Sequence, residues 1–281
     1  MFYLLNILIQ MKILLNKASL FETLRPFNDL GFVPTMGGIH KGHLSLISKS
    51  NRLCKKTIVS IFVNPKQFNN KKDLKSYPRN IKKDLKILKK NKKIDFVYLP
   101  KFRDIYKDKN KPKIKLHKKD KILCAKFRKG HFEGVLDVMD KLTKIVNPQK
   151  IFMGEKDFQQ LYLVKKLLEK KYKTKVVSCK TIRDKNNVAL SSRNFLLNKS
   201  NLNVAKNIYK KLVRIKKNIN KKNNISDFLN SQKNKLKNIY QIKIDYLELR
   251  NINNLKISNT NKNSRLFIAY YLNNVRLIDN L

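Results

Sequence analysis

Residues Gly31-Phe-Val-Pro-Thr-Met-Gly-Gly-Ile-His-Lys-Gly-His-Leu-Ser-Leu-Ile47 decide how the chain is read. Phe32 and Val33 close an apolar strand, Gly37 and Gly38 make a tight turn, and His40-Lys41-Gly42-His43 opens a helix continued by Leu44, Leu46 and Ile47. A strand, glycine loop and helix in that order aim free backbone N–H groups and a positive dipole end at an anion, usually a phosphate. Gly42, lacking a Cβ, lets a nucleotide come close to the backbone. Two imidazoles at that helix start can both donate to phosphate oxygens. The competing reading is that both histidines merely cap the helix, and for an isolated His-x-Gly-His it would be preferred. The strand before the motif and the helix after it favour ligand binding.

At 281 residues and 42% hydrophobic side chains, the chain suits one large or two modest domains. Its 65 basic and 19 acidic residues give a net charge of +46. That balance points to nucleic acid or an anionic membrane, but the lysines are spread through almost every segment. Asn and Ile are abundant too, as in Lys216-Lys-Asn-Ile-Asn-Lys-Lys-Asn-Asn224. All three share A/T-rich codons, so the charge reads as mutational bias. The seven glycines all lie between Gly31 and Gly154, as if kept where backbone geometry demands them. Cys54, Cys124 and Cys179 have no paired or metal-like spacing; they read as small buried hydrophobes in a reducing compartment.

Residues 1–15 are apolar but lack a basic leader and a cleavage site, and are too short to span a membrane. Met11 offers an alternative start. Ser19 to Leu30 reads as a short helix bent at Pro26. Thr57 to Val63 is a continuous apolar run, the mark of a strand buried on both faces of a parallel sheet. Asn64-Pro-Lys-Gln67 then sits where open α/β sheets bind ligands. A helix with Ile81, Leu85 and Leu88 on one face follows, then a strand at Phe96–Leu99. The charged loop 101–121 holds a candidate short strand at Ile114 and Leu116. A helix carrying Val135 to Val146, a strand at Lys150–Met153, a helix starting at Gly154 and a strand at Lys175–Cys179 complete the alternation. This rhythm indicates a Rossmann-like, doubly wound parallel sheet over 11–180. Two Lys/Asn-rich helices and strand-like segments at Lys243–Leu249 and Arg265–Leu272 suggest a smaller α+β domain over 181–281.

Two further stretches carry chemistry. Gly154-Glu155-Lys156-Asp157 repeats the strand-to-helix geometry, with Lys156 able to reach phosphate as a point charge and Gln159 and Gln160 offering amides. Leu190-Ser191-Ser192-Arg193 supplies two hydroxyls and a guanidinium suited to phosphate oxygens. Alone, each fits an ordinary loop. In the order Pro-Thr-Met-Gly…His-x-Gly-His, Val-Asn-Pro-x-Gln-Phe, Tyr-Pro-Arg, Gly-His-Phe, Gly-Glu-Lys-Asp-x-Gln-Gln-Leu and Leu-Ser-Ser-Arg-Asn, the chain resembles the pantothenate synthetase family (pantoate–β-alanine ligases) of the HIGH-type nucleotidylyltransferase superfamily. The likeness covers nearly everything after residue 11, including Ile244-Asp-Tyr-Leu-Glu248 and Val275-Arg-Leu-Ile-Asp-Asn280.

The resemblance implies ATP-dependent condensation of (R)-pantoate with β-alanine through pantoyl adenylate, giving pantothenate, AMP and pyrophosphate. By carry-over, Met36, Gly37, Gly38, Ile39, His40, Lys41, Gly42 and His43 line ATP, with His43 the proton donor. Gly154, Glu155, Lys156 and Asp157 form a second ATP segment in which Lys156 is catalytic. Ile182 lies on the adenine side, Leu190, Ser191, Ser192 and Arg193 clamp phosphates, and Gln67 and Gln160 hold pantoate. Mg²⁺ with the nucleotide, a homodimer, a cytoplasmic setting, a small domain that closes over the site, and no membrane or specific nucleic-acid partner are implied as well. Departures are Lys129 where the family has Pro, Asp137 where it has Thr, and Asn187 in place of a turn Gly. The alternative within enzymes is an adenylyl-transferring ligase of the same superfamily acting on a different small acid. If the positive charge is mutational bias, the protein binds DNA only at low salt and without sequence preference; salt-resistant, sequence-selective binding in a filter assay would contradict it.

Overall fold

The computed structural model describes residues 11–91, 93–106 and 114–281. The expectations for residues 1–10 and for part of the charged loop lie outside these. In chain order the elements are β1 (Lys12–Leu14), α1 (Lys17–Leu24), β2 (Leu30–Thr35), α2 (Lys41–Leu53), β3 (Lys56–Ile61), α3 (Lys71–Ser76), α4 (Ile81–Lys90), β4 (Phe96–Tyr98) and α5 (Phe102–Ile105). Then follow α6 (Cys124–Phe127), α7 (His131–Val146), β5 (Lys150–Gly154), α8 (Phe158–Lys171) and β6 (Lys175–Cys179). The last are α9 (Lys199–Asn218), α10 (Ile225–Tyr240), β7 (Ile244–Asn251), β8 (Ser264–Leu272) and β9 (Val275–Asn280). Among the described residues no helix is long and apolar enough to cross a membrane. The three cysteines are buried and form no disulfide with one another.

The abundant asparagines start the helices. Asn16, Asn70, Asn80, Asn198 and Asn224 are the N-caps of α1, α3, α4, α9 and α10, each accepting a first-turn N–H on its side chain. Asparagine also replaces glycine in turns. Asn147, Asn187, Asn263 and Asn273 all adopt positive φ, a region Asn tolerates better than most residues. Asn147 closes α7 there, its N–H donating to Thr143 O at 2.8 Å, and Pro148 prevents continuation.

The chain divides into two compact units. The first takes in the chain up to Lys115 with Gly130–Met153 and Leu163–Cys179. Its sheet has the strand order β1-β4-β3-β2-β5-β6. β1 with β4, β4 with β3, β3 with β2 and β2 with β5 all run parallel. Without β1 this is the Rossmann arrangement, and the order reverses between β2 and β5. Ile58 to Ile61 in β3 are all buried, as a strand covered on both faces requires. Val33, Ile47, Val59, Leu88, Val97 and Phe152 meet in the core beside them.

The second unit comprises Leu116–Lys129, Gly154–Tyr162 and Lys180–Leu281. Its antiparallel sheet β7-β8-β9 packs with α9 and α10 around Ile208, Leu212, Leu236, Leu249, Leu266 and Ile268. Arg183 anchors the turn 184–187 to β9, donating to both Asp279 carboxylate oxygens at 2.7 and 2.8 Å.

The α/β reading with a smaller α+β part is thus what the chain adopts, with local corrections. β1 lies in the apolar N-terminal run, where three residues are too few for periodicity to register; Leu14 is nonetheless 1% exposed. β9, formed by the motif Val275–Asn280, is a strand that the sequence pattern does not announce. Ile114 and Leu116 form no strand. α1 ends at Leu24; Arg25 keeps helical dihedrals and donates to Phe21 O at 3.0 Å, but Pro26 has no N–H with which to continue the ladder. Ile81 is 53% exposed, and Asp84 instead occupies the buried face of α4. The segment after β5 first makes a 3₁₀ turn, Glu155–Asp157, before α8 begins. Leu212 is 1% exposed in the second core, so Leu212→Ala should lower unfolding free energy by about 2–5 kcal/mol in urea denaturation; a loss below about 1 kcal/mol would mean that α9 does not bury this face.

Candidate active site

The first unit places the glycine loop at the carboxyl end of β2, beside the point where strand order reverses and open α/β sheets bind ligands. Thr35 Oγ1 donates to Ser60 O at 2.8 Å and accepts from Gly37 N at 3.2 Å. Gly37 has φ +82°, and a Cβ there would lie 2.8 Å from Asp84 Oδ2, so any other residue would be strained and would displace that carboxylate. Asp84, 3% exposed, reaches across from α4. Its Oδ2 accepts from Gly38 N at 2.9 Å and its Oδ1 from Ile39 N at 2.8 Å. The loop amides expected to face an anion are therefore bound to a carboxylate of the same chain. Gly154 has φ −78°, and a Cβ there would meet nothing within 4 Å, so backbone geometry does not require glycine at this position.

The expected phosphate contacts, His40 and His43, stand at the start of α2. His40 caps α2, its Nδ1 accepting from Gly42 N at 3.1 Å, while His43 Nδ1 accepts from His40 N at 3.4 Å. The rings lie 4.1 Å apart, tilted by 32°. Because each Nδ1 accepts, the proton of each neutral ring sits on Nε2. Helix capping thus engages Nδ1 of both side chains, and does not by itself conflict with the expected phosphate contact through Nε2.

A second cluster in this unit surrounds Gln67, which is buried at the end of a short 3₁₀ turn after β3. Gln67 Nε2 donates to Met36 Sδ at 2.8 Å, joining two of the expected ligand residues. Asn64 Nδ2 donates to Gln67 Oε1 at 3.3 Å and to Gly134 O at 3.0 Å. The buried His131 ring packs its Nδ1 2.7 Å from Gln67 O. At Gly134 a Cβ would stand 2.3 Å from Lys66 O, so α7 approaches the turn only because glycine is there.

In the second unit, Glu155, Lys156 and Asp157 form the 3₁₀ turn ahead of α8. The turn is held by the C-terminal strand. Asn280 Nδ2 donates to Glu155 O at 2.9 Å and Lys156 O at 3.0 Å, and Arg265 pairs with Glu155 at 2.7 Å. Lys156 is half-buried and Asp157 exposed. Gln159 is buried and donates to Ile122 O at 2.8 Å, so its amide serves the fold, while Gln160 is half-buried. The turn at Asn187 brings the other segments together. Leu190 N donates to Ile182 O at 2.9 Å, and Ser191 Oγ accepts from Arg193 N at 3.2 Å. Ser192 is buried and Arg193 half-buried.

Asp84 in the first unit, and Arg265 and Asn280 in the second, are tied to these segments only through the structure, as are the contacts of Asn64 and His131 with Gln67. Asn64 and His131 lie inside sequence motifs that mark the region without marking the residue. Asp84 carries a weaker signal, an acid on the apolar side of an amphipathic helix. Arg265 and Asn280 act through contacts remote in sequence.

A parallel sheet of this order, with a His-bearing helix start at its switch point, defines a Rossmann-like nucleotide-binding protein. Comparison with known proteins narrows this. The family model for pantoate-beta-alanine ligase matches residues 11–281. The pantothenate synthetase of Flavobacterium psychrophilum is 42% identical over 92% of this chain and 94% of its own length. That of Azobacteroides pseudotrichonymphae is 38% identical over 94% and 96%. The crystal structure of pantothenate synthetase from Thermus thermophilus superposes with a TM-score of 0.89 at 30% identity, covering 96% of this chain and 99% of that one. The Francisella tularensis pantoate-beta-alanine ligase, complexed with beta-gamma ATP and beta-alanine, gives 0.82 at 36% identity, covering 96% and 97%. The chain belongs to the pantoate–β-alanine ligase family. Asp84→Ala should strand two loop amides and cost about 2–4 kcal/mol of unfolding free energy, Asp84→Asn less. An unchanged denaturation midpoint for Asp84→Ala would show that water serves these amides equally well.

Proposed function

We propose that this enzyme condenses (R)-pantoate with β-alanine in two steps, driven by ATP. The observation that carries the reading is the paired imidazoles, each engaging Nδ1 in the helix cap and carrying its proton on Nε2. In the first step a pantoate carboxylate oxygen attacks the α-phosphorus of ATP, the bond to the bridging oxygen breaks, and pyrophosphate leaves. In the second, the β-alanine amine attacks the acyl carbon, AMP leaves with the bridging oxygen, and the nitrogen loses a proton. Phosphoryl transfer depends chiefly on positioning and on stabilising spread negative charge.

In this reading Met36 to His43 line the polyphosphate, with His40 a phosphate contact and His43 donating a proton to the departing oxygens. Lys156 supplies a positive charge in a turn held by Asn280. Gly154, Glu155 and Asp157 complete that segment; Ile182 lies beside adenine, and Leu190 to Arg193 clamp the phosphates. Gln67 and Gln160 hold pantoate, Gln67 also meeting β-alanine. The nucleotide- and pantoate-binding part spans 11–180 and the smaller part 181–281. Mg²⁺ would come with the nucleotide and be held mainly by it. Glu155 is taken by Arg265, so the exposed Asp157 is the carboxylate of this segment suited to a water-mediated contact. When bound, the ion would neutralise polyphosphate charge. A cytoplasmic homodimer completes the proposal.

AMP formation should require both pantoate and β-alanine, and pyrophosphate release across a panel of small acids should favour pantoate. His43→Ala and Lys156→Ala should each reduce pyrophosphate release by about 10²-fold or more, with unchanged circular dichroism. Near-normal turnover in either variant would remove that residue from its role.

A further inference from the structure

Behind Gln67 lies a side chain that the family resemblance did not assign. Tyr106 follows α5, is 3% exposed, and donates its hydroxyl to Asn64 Oδ1 at 3.1 Å. Asn64 Oδ1 also accepts from Lys66 N at 3.2 Å. These two donors settle which end of the Asn64 amide faces which way. Its Nδ2 is left to meet Gln67 Oε1 and Gly134 O. Gln67 Oε1 is thereby occupied as an acceptor, and Gln67 Nε2 must point forward, where it meets Met36 Sδ. A thioether is a weak acceptor. An incoming carboxylate or hydroxyl oxygen would replace it with a stronger bond.

The phenol is kept as a donor by its surroundings. Burial first, then the neighbouring Asp137 carboxylate, hold its pKa well above the usual tyrosine range. Lys66 Nζ lies 4.1 Å and Lys141 Nζ 5.5 Å from the ring centroid, and Lys141 stands 3.6 Å from Asp137 Oδ1. The ring is thus fixed by two ammonium groups and a carboxylate that do not themselves touch Gln67's amide.

We propose that Tyr106 is a positioning residue for the acid substrate, reinforcing through Asn64 the orientation in which the Gln67 amide presents its Nε2. The inference rests on Gln67 holding pantoate. Without the hydroxyl, Asn64 Oδ1 keeps only Lys66 N as a donor, so the amide that hands Nδ2 to Gln67 is held less firmly and Gln67 Nε2 is presented less well to an anion. The fault is one of orientation, so it appears in pantoate binding and not in nucleotide binding.

The test is Tyr106→Phe, which keeps the ring and removes the one proton. The Michaelis constant for pantoate should rise about fivefold, the size of one oriented hydrogen bond, with that for ATP and kcat changing by less than about twofold. In a Gln67→Ala background the same substitution should have no further effect. Asn64→Asp, which forces Gln67 to donate backward, should raise the pantoate constant further and reads the same polarity if Tyr106→Phe folds poorly. An equal rise for ATP and pantoate, or full additivity with Gln67→Ala, would overturn the proposal while leaving the ligase reading intact. Absence of pantoate-dependent pyrophosphate release in the unsubstituted protein would overturn both.

Discussion

A single buried carboxylate organises the glycine loop of the first unit. Asp84 accepts from two successive amides, Gly38 N and Ile39 N, with one oxygen each. Charge-assisted bonds of this kind are stronger than those between neutral groups. They pin a backbone that already carries two positive-φ glycines. Only a loop so constrained delivers His40 to the N-cap of α2 and lets His43 close the cap from one turn away. The amides of Gly38 and Ile39 are thereby spent on Asp84, and the proposed phosphate contacts pass to the histidine rings at the start of α2.

Behind the loop, polarity passes along a chain of side chains whose members each have one available orientation. Tyr106 orients Asn64, Asn64 orients Gln67, and Gln67 reaches Met36. A partly satisfied buried network would be costly, whereas a satisfied one is rigid. Gly134 matters because α7 must come close enough for its own backbone carbonyl to receive Asn64 Nδ2. The second unit uses the same principle differently. β9 places Asp279 against Arg183 and Asn280 against the 155–157 turn, so one strand steadies two of the expected nucleotide segments.

The chain's composition reflects how it solves these problems with few glycines. Asparagine, abundant alongside lysine, starts five helices and takes four positive-φ positions. Its short amide accepts a backbone N–H at a cap and tolerates left-handed geometry at a turn. Asn187 does so at φ +64°, with Asp184 Oδ1 accepting from Asn186 N at 2.8 Å and Val188 N at 2.9 Å. A residue type that reads as compositional drift is thus built into the local structure.

From sequence alone came the elements whose causes are local: the β3 run, the longer amphipathic helices, the strand–turn–helix within Gly31–Ile47, and the ordered motifs that mark the family. Short edge elements such as β1 escaped, because three residues carry no period. Site residues escaped for another reason. Asp84 meets Gly38 and Ile39 from more than forty positions away, and Arg265 meets Glu155 across 110. No pattern in either stretch encodes its partner. Which amides a carboxylate claims, and so which atoms remain for a substrate, is settled only when the sheet brings distant segments within hydrogen-bond reach.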